Sequence, residues 1–343
     1  MILEHWDAAL AELSPEYRDI YFTEAYCRLY ERGGRLARAF VWKEGQSVFV
    51  FPFLLGEVPN EPGLSDFETA YGYGGPVTND FEPSFIHRAM EAFSEECAGN
   101  RIIAGFTRFH PLLGNDRIAA GDMDVFADRE TVSIDLSMPV EEIWIKQIHA
   151  KNRNTIRKAQ KNGLEFFTDD SFALMGTFRK LYAETMLRLN ADSFYGFDDR
   201  YFSEFANNNV GKAFIGAVRD TKPKGKIAAA ALFMIDKPWC HYHLAGSDPE
   251  YSASGANNLL LYEAALELKR RGAISFHLGG GTDGSPMNSL YAFKKKFSPF
   301  RHMFCTGRKI FLADEYERLC SDWATQFPER IARYGGMTLR YRF

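Results

Sequence analysis

Residues 252–299 read SASGANNLLLYEAALELKRRGAISFHLGGGTDGSPMNSLYAFKKKFSP, and this stretch decides the fold. A glycine-containing turn opens it, and the apolar spacing that follows predicts an amphipathic helix over 256–271. The short apolar run 274–278 predicts a buried strand. A second helix then ends in a cluster of lysines. Helix, strand and helix in this order are typical of an α/β protein.

The same stretch carries groups that suit an anionic ligand. Residues 255–257 present backbone N–H groups at the start of a helix, where phosphates bind favourably. Residues 279–281 are all glycine, so a ligand can approach the main chain closely. The lysines at 294–296 add cations that can stabilise a developing oxyanion. The pattern favours an acyl-transfer enzyme whose donor or acceptor carries phosphate.

Composition sets the broad class of protein. The chain has 343 residues, of which 46% are hydrophobic and 25% charged, so two globular domains are expected. A net charge of −4 argues against a protein that coats nucleic acid, although a local basic patch remains compatible with it. No apolar run reaches membrane-spanning length, and the first residues lack the basic region of a secretory signal. The five cysteines are scattered, which is typical of reduced thiols in a cytoplasmic protein.

Two segments of the chain share one plan. Residues 21–55 begin YFTE and residues 201–235 begin YFSE, and each continues as a short helix and a β-hairpin. The hairpin turns are predicted at 43–46 and 222–226. The sequence match is thin, so the prediction of a repeat depends on the order of elements.

That order continues after each hairpin with a strand, a Gly/Pro-rich bend, a helix and another strand. We therefore predict two α/β modules, the first spanning 1–137 and completed by 305–343, the second spanning 138–304. The predicted elements are a strand over 69–73, a helix over 83–97 and a strand over 101–107 in the first module, and a strand over 239–244, a helix over 256–271 and a strand over 274–278 in the second.

A basic segment connects the modules. Ser137 can cap a helix, Pro139 suits its first turn and Gly163 can end it, so we predict one helix between them. Its apolar stripe would contain Ile145, Ile148, Asn152, Ile156 and Ala159.

Six cations and no acid occur within 143–164. A run of cations is usually a solvated helix face, but the missing acids equally favour phosphate binding. Under the second interpretation, Lys146, Arg153 and Arg157 hold the phosphates of an acceptor in a groove between the modules.

Four motifs together resemble the FemAB/FemX-like family of the GNAT superfamily of N-acyltransferases. They are KNRNTIRKAQKNGLEF at 151–166, LAGSD at 244–248, LLLYEAALELKRRGAISFHLGGG at 259–281 and LYAFKKKFSP at 290–299. The resemblance implies an α/β (α+β) fold of two tandem GNAT-like modules, each a mixed central sheet flanked by helices.

The resemblance also implies a reaction, in which an amine attacks an activated acyl carbon and forms an amide. The expected donor is acyl-CoA, such as acetyl-CoA, and the expected acceptor is a cell-wall or surface-glycan precursor, either a phosphate-bearing small molecule or a lipid-linked one. The alternative is a Fem-type aminoacyltransferase that uses aminoacyl-tRNA to build peptidoglycan bridges. The chain between 201 and the hairpin turn is too short for the long helical arm of some Fem enzymes, which favours CoA.

The family's CoA loop is degenerate, because Ser252 stands where Gln or Arg is expected. This departure keeps open an alternative of another class, a non-catalytic protein that binds a glycan precursor. The cofactor-binding residues that the resemblance implies are Leu244, Ala245, Gly255, Ala256, Asn257, Gly279 and Gly280.

Catalytic roles follow from the resemblance as well. Lys294 and Phe293 match the family's Phe-Lys pair, so the Phe293 carbonyl and the Lys294 ammonium are expected to face the reacting centre. Tyr291 would protonate the leaving thiolate. His110, in RFHP at 108–111, stands where Fem enzymes often have Asp, and a neutral imidazole there could accept the amine proton.

The remaining candidates concern the substrates. His241 and His243 form a His-x-His pair without an accompanying acid, so no metal is expected. Structural alternatives stay open for every candidate: a solvated lysine cluster, a packed tyrosine, a structural histidine, a surface arginine and a plain glycine turn. The substrate-binding candidates are Arg108, Lys146, Arg153, Arg157, Arg188, Tyr195, Tyr242 and His243.

Overall fold

A computed structural model describes residues 1–222, 225–285 and 287–343 of the chain. The chain folds as two units. Unit 1 contains Met1–Asp128 and Met303–Phe343, and unit 2 contains Arg129–His302. The predicted hairpin turn at 222–226 lies partly outside the described residues.

Strands and helices are numbered along the chain. The strands are β1 (Ile2–Leu3), β2 (Leu36–Glu44), β3 (Ser47–Glu57), β4 (Ser65–Glu68), β5 (Val77–Thr78), β6 (Ile102–Arg108), β7 (Asp124–Asp135), β8 (Leu164–Asp169), β9 (Ala213–Asp220), β10 (Ile227–Asp236), β11 (Trp239–Ser247), β12 (Ser275–Gly279) and β13 (Phe300–Ile310). The helices are α1 (Asp7–Ala11), α2 (Glu24–Arg28), α3 (Pro83–Gly99), α4 (Asp116–Ala119), α5 (Val140–Glu142), α6 (Ala150–Lys161), α7 (Met175–Arg188), α8 (Asp199–Asn208), α9 (Ala256–Arg270), α10 (Ser289–Lys294), α11 (Ala313–Gln326) and α12 (Ile331–Tyr334).

Unit 1 is a mixed sheet in the order β1-β2-β3-β4-β6-β13, with β5 paired to β3. The β4–β6 pair is parallel, while β2–β3, β3–β4 and β13–β6 are antiparallel. Phe49, Phe51 and Phe53 alternate along β3, so they lie on one face, and they are fully buried in a cluster with Phe93 of α3. Part of the chain's high phenylalanine content therefore forms the core of unit 1.

The predicted strand over 69–73 is wrong, because the strand in this region is β4, over Ser65–Glu68. Its sequence SDFE gives no apolar pattern. Asp66 is fully buried, and its carboxylate accepts from the guanidinium groups of Arg35 at 3.0 Å and Arg342 at 2.6 Å. Tertiary ion pairs from distant parts of the chain thus allow a charged residue inside the sheet.

Unit 2 is a mixed sheet in the order β7-β12-β11-β10-β9-β8. The β11–β12 pair is parallel, and β10 pairs antiparallel with both β9 and β11. β10 reads IAAAALFMID and is buried almost throughout, as expected for a strand covered on both faces. The core of unit 2 packs this strand against apolar residues of α9 and α6.

Each unit contains one parallel pair of strands joined through a helix: β4 and β6 through α3, and β11 and β12 through α9. The remaining pairs named above are antiparallel, so both sheets are mixed and flanked by helices. The predicted α/β (α+β) fold of two tandem modules is confirmed.

The predicted single helix between Ser137 and Gly163 is wrong in its first half. α5 is followed by a π-helical turn over Ile143–Gln147, and Ile148 is extended with ψ 120°. His149 caps α6, where its Nδ1 accepts from the Lys151 N–H at 3.2 Å. Ile145 is 67% exposed, because the break removes it from the buried stripe of α6. The helix end at Gly163 is confirmed, with φ at 83° after the last turn.

Glycine at 246 sets the distance between β11 and α7. A Cβ atom at Gly246 would lie 2.4 Å from backbone atoms of Leu181 and Tyr182. We expect Gly246→Ala to lower the free energy of unfolding by about 1–3 kcal/mol, because the helix backbone would have to move. Urea denaturation measures this change.

Gly176 provides the matched control, since it lies on α7 with nothing within 4 Å of an added Cβ. Gly176→Ala is expected to be neutral or slightly stabilising. Equal stability of Gly246→Ala and wild type would contradict the close packing of α7 on β11.

None of the helices in the described part of the chain combines the length and the apolar character needed to cross a membrane.

Candidate active site

The parallel strands β11 and β12 stay paired over a short distance only. The register runs from Trp239 opposite Ser275 to His241 opposite His277, although β11 continues to Ser247. β11 is irregular at this point, because Tyr242 pairs with Phe233 while Leu244 pairs with Leu232, which leaves His243 as an extra residue. We call the point where the two strands stop pairing, after His241 and His277, the fork.

Lys294 lies at the fork. α10 begins at the Asn288 cap, whose side chain accepts from two backbone N–H groups, and ends at Lys294. The Nζ of Lys294 donates to the Gly280 carbonyl at 2.8 Å and lies 5.7 Å from the ring centroid of Tyr242. Gly280 directly follows β12, and Tyr242 directly follows the last paired residue of β11. The amine therefore lies between the two separating strands.

The environment of Lys294 is apolar. The residue is 8% exposed, and burial lowers the pKa of its amine to about 7. Within residues 1–222, 225–285 and 287–343, no carboxylate lies at ion-pair distance from its Nζ. Burial also raises the pKa of Tyr242, so this phenol stays neutral beside the amine.

The other predicted catalytic residues of α10 have protein partners. The Tyr291 hydroxyl donates to the Glu130 carboxylate, and burial followed by this hydrogen bond raises the pKa of Tyr291. The Phe293 ring packs on the Phe297 ring, with centroids 5.2 Å apart. The Phe293 backbone carbonyl accepts from the Lys296 N–H at 3.3 Å. The predicted roles of Tyr291 and Phe293 stay predictions.

The glycine turn after β12 is closely packed. Gly279 has φ at 75°, and a Cβ atom at Gly280 would lie 2.8 Å from the Glu130 carbonyl. The Gly281 carbonyl accepts from Arg129 at 3.1 Å. The glycines let neighbouring backbone approach, and their predicted ligand contacts remain a prediction.

The start of α9 meets the end of β11. Gly255 has φ at 84°, and a Cβ there would lie 2.8 Å from the Thr155 side chain, so glycine is required on two grounds. The Ala256 N–H donates to Ser254 Oγ at 3.2 Å, and Asn257 Nδ2 donates to Ser247 Oγ at 3.4 Å.

The same strand carries two more of the predicted cofactor residues. Leu244 is buried on β11, and Ala245 packs against the core of unit 2. Both lie past the fork on β11.

Arg188 reaches the same end of β11. Its guanidinium group is exposed and donates to the Ser247 carbonyl at 3.4 Å, while Thr185 Oγ1 accepts from the Ser247 N–H at 3.0 Å. Ser247 thus brings together Arg188 and the predicted cofactor residue Asn257. One exposed cation and a helix N-terminus meet there, which suits a phosphate group.

The basic segment satisfies many of its charges locally. Lys146 pairs with Glu142 at 2.8 Å, and this acid lies one residue before the acid-free window. Arg153 donates to the Ile145 carbonyl of the π-helical turn at 3.2 Å and to the carbonyl of Ile148, just after the turn, at 2.6 Å. Arg157 lies over the Trp144 ring at 5.2 Å. Phosphate binding by Lys146, Arg153 and Arg157 stays a prediction.

His243 and Tyr195 lie in an aromatic region near α8. The His243 ring stacks on Phe205 with an interplanar angle of 5°, and its Nε2 lies 2.6 Å from the Tyr201 hydroxyl. Burial and, to a smaller extent, the charge of His241 lower the pKa of His243 to about 3, so it is neutral. The Tyr195 carbonyl accepts from the Tyr182 hydroxyl at 2.9 Å. Tyr242 packs with the core of unit 2 instead.

In unit 1, His110 is fully buried. Its Nδ1 accepts from the Leu113 N–H at 3.2 Å, so its Nε2 carries the proton that faces Asp19 at 2.9 Å. Arg108 donates to Glu68 at 3.1 Å. In this geometry the Nδ1 lone pair of His110 is already used, and its role as general base stays a prediction.

Two surface grooves, of about 400 Å³ and 410 Å³, both lie in unit 1. One borders Trp42 and Glu96, and the other borders Trp323 and Arg340. Neither is lined by a predicted site residue. Hydrogen-bonding and ionisable groups, and not groove volume, therefore identify the fork as the candidate site.

Two residues around the fork have no counterpart among the predictions. Asn288 precedes an apolar helix, which is the usual position of an N-cap, so the sequence contained a signal for it. Glu130 is 161 residues from Tyr291 along the chain, and no local pattern indicates this contact.

Residues 149–295 match the family of acetyltransferase (GNAT) domains. The matched range includes the fork, the start of α9 and Lys294. Residues 149–295 form a GNAT-type acyltransferase domain.

Solved structures resemble nearly the whole chain. FemX is 16% identical, with 92% of this chain and 99% of FemX covered and a TM-score of 0.70. L-PGS from Bacillus licheniformis is 16% identical, with 88% and 90% covered and a TM-score of 0.58. The C-terminal domain of a putative lysylphosphatidylglycerol synthetase from Agrobacterium fabrum is 17% identical, with 89% and 90% covered and a TM-score of 0.55.

The chain has the tandem GNAT fold of FemX, and the predicted FemAB/FemX-like resemblance is confirmed. Comparison with curated proteins gives no match.

Proposed function

We propose that the chain transfers an acetyl or similar acyl group from acyl-CoA to an amine of a cell-wall or surface-glycan precursor. The observation that carries this proposal is the buried amine of Lys294 at the fork of two parallel strands. A fork leaves backbone groups of both strands without a partner strand, so an extended acyl donor can pair with them.

The start of α9 supports a CoA-like donor. The N–H groups at the start of α9 and the exposed Arg188 lie at the Ser247 end of β11. Lys294 of α10 lies at the fork, farther back along β11. A molecule with a diphosphate at one end and a thioester at the other could place the diphosphate at the start of α9 and the thioester at the fork. Acyl-CoA has this arrangement.

The reaction would proceed by attack of an uncharged amine on the thioester carbonyl. A C–N bond forms, the C–S bond breaks and the attacking nitrogen loses a proton. A polar group in an apolar setting stabilises the charge that develops on the carbonyl oxygen more strongly than water does. The Nζ of Lys294 is the hydrogen-bond donor that the fork offers to this oxygen.

The acceptor is proposed to carry phosphate, as a small molecule or as a lipid-linked precursor. Exposed Lys146 and Arg157 are cations that could contact it, although each has a local partner. One structure of similar fold carries the name of a lysylphosphatidylglycerol synthetase domain, which supports a lipid-borne acceptor.

Aminoacyl-tRNA is the alternative donor, because the resemblance to the FemAB/FemX-like family implies it. Between β8 and β9 the chain forms α7 and α8, of 14 and 10 residues, which are too short for a long helical arm. A non-catalytic precursor-binding protein is disfavoured, because a buried lysine without a counter-ion lowers stability and needs a functional reason.

Calorimetric titration with acetyl-CoA and, separately, with charged tRNA tests the donor. We expect acetyl-CoA to bind, and Arg188→Gln to weaken its binding about 5–20-fold through loss of one charge-assisted contact. Arg219→Gln is the control, since Arg219 pairs with Glu165 on the exposed side of β9. Binding of charged tRNA without binding of acetyl-CoA would contradict the proposed donor.

A further inference from the structure

Lys294 combines burial with the lack of a counter-ion. In the described part of the chain, the Gly280 carbonyl is the hydrogen-bond acceptor of its Nζ, and no carboxylate pairs with it. An ammonium group has three N–H donors, so burying it with one acceptor and no anion is strongly unfavourable. An uncharged amine fits the position better, because it has a lone pair in place of one donor.

We propose that Lys294 is the proton acceptor of the reaction: its uncharged amine at the fork takes the proton that the attacking nitrogen loses. This inference rests on the acyl transfer proposed above and adds a specific acid–base role to the lysine. Burial, which lowers the pKa of Lys294 to about 7, supports it.

The proton balance closes without a further reactant. The attacking amine forms the C–N bond and passes one proton to the Lys294 Nζ, which becomes an ammonium group. The C–S bond breaks and CoA leaves as a thiolate. The ammonium proton then goes to the thiolate, so the products are an amide and a free thiol. The transient ammonium would also lie beside the carbonyl oxygen while that oxygen carries negative charge.

Burial, and not the charge of a neighbouring side chain, lowers the pKa of Lys294. Titratable and charged side chains on the elements around the fork include His241 and Tyr242 on β11, His277 on β12, Arg129 and Glu130 on β7, and Tyr291 and Lys295 on α10. The Glu130 carboxylate is held by the Tyr291 hydroxyl, and Arg129 donates to the Gly281 carbonyl. The pKa of Tyr242 is raised by burial, so Tyr242 does not titrate near neutral pH.

The predicted alternative base is less well arranged. The Nδ1 of His110 accepts from the Leu113 N–H, and its Nε2 faces the Asp19 carboxylate. His110 would have to break one of these hydrogen bonds before it could accept a proton. Lys294 needs no such change.

NMR titration of the intact protein, labelled with ¹³C and ¹⁵N at the lysine side chains, tests the inference without any substrate. The Lys294 signal is assigned by its loss in Lys294→Met, and the exposed Lys296 serves as internal control. We expect Lys294 to titrate near pH 7. Titration of Lys294 only above about pH 10, in the range of an ordinary lysine, would overturn the proposal.

Activity measurements separate a proton acceptor from a fixed cation. With acetyl-CoA as donor, UDP-linked amino sugars as acceptors and free-thiol release as readout, kcat/KM should rise about tenfold per pH unit below pH 7 and then level off. Lys294→Arg puts a permanently charged guanidinium group at the fork that cannot accept a proton, so we expect a loss of about 100-fold or more. Methylamine added to Lys294→Ala should restore part of the rate.

Each result has a distinct meaning. Full activity of Lys294→Arg would overturn the role as proton acceptor while leaving acyl transfer intact. A Lys294 signal that titrates near pH 7 without thiol release from acetyl-CoA would support the uncharged amine and contradict the proposed donor. Circular dichroism of each variant shows whether it is folded.

Discussion

Lys294→Met should lower the rate of acyl transfer by about 10²–10⁴-fold while raising the free energy of unfolding of the protein. The loss of rate is expected because Met fills the same space at the fork but can neither accept a proton nor donate to the Gly280 carbonyl. The gain in stability, about 1–4 kcal/mol near pH 7, is expected because a buried amine without a counter-ion is replaced by an apolar side chain. Free-thiol release and urea denaturation measure the two effects.

The stability gain should depend on pH in a defined direction. The pKa of Lys294 is about 7 in the folded chain against an ordinary value of 10.5, so the unfolded chain binds more protons between these values. The wild-type free energy of unfolding therefore carries a contribution that rises with pH from about 7 to about 10.5, and the Met variant lacks it. The advantage of Lys294→Met should shrink as the pH approaches 10.

Lys296→Met is the matched control for both effects, because Lys296 lies two residues away with an exposed side chain. Its rate and stability should match those of wild type. An active Lys294→Met, or one destabilised by several kcal/mol, would show that Lys294 is a structural residue of α10.

Asp66→Ala should destabilise the protein by about 3–5 kcal/mol, the largest stability change that we expect. The Asp66 carboxylate is fully buried and holds Arg35 of the loop before β2 and Arg342 near the C-terminus. Removing it takes the partner carboxylate from Arg342 and leaves Arg35 with its longer contact to Glu68 at 3.4 Å. Urea denaturation of Asp66→Ala and of the isosteric Asp66→Asn measures the loss.

Asp124→Ala is the control in the same unit, since Asp124 forms an exposed pair with Arg308 at 2.8 Å. A pair of this kind contributes about 0–1 kcal/mol. Similar destabilisation by Asp66→Ala and Asp124→Ala would contradict the importance of burial at Asp66.

Elements with a regular apolar pattern could be predicted from the sequence. The helix predicted over 256–271 is α9, over Ala256–Arg270, and the strand predicted over 274–278 is β12, over Ser275–Gly279. Both are amphipathic or apolar segments with glycines at their ends, so local signals and tertiary packing agree. The second predicted helix, which ends in the lysine cluster, is α10 over Ser289–Lys294.

Elements that depend on distant contacts could not be predicted. β4 has a polar sequence and is a strand because Arg35 and Arg342 neutralise Asp66. The break at Ile148 lies within a continuous helical pattern, and the backbone N–H of His149 donates to the Lys296 carbonyl at 2.9 Å. Nothing near residue 148 in the sequence indicates that contact.

The candidate site shows the same division. Lys294 was identified by its motif, but its burial and its contact with Gly280 depend on how α10 packs against the end of β12. The phosphate role predicted for Lys146 rested on the missing acids, and Glu142 lies one residue outside that window. Arg188 is brought to the start of α9 by Ser247, a contact between residues 59 positions apart.

The position of the donor carbonyl relative to Lys294 can be measured in a crystal structure with a thioether analogue of acetyl-CoA, which cannot transfer its acyl group. We expect the analogue to lie in the fork, with its carbonyl within about 4 Å of the Lys294 Nζ and its diphosphate at the start of α9. Acyl transfer at this site would be contradicted if the carbonyl were bound away from the fork while the Lys294 Nζ still donated to the Gly280 carbonyl, with no ligand near the Nζ.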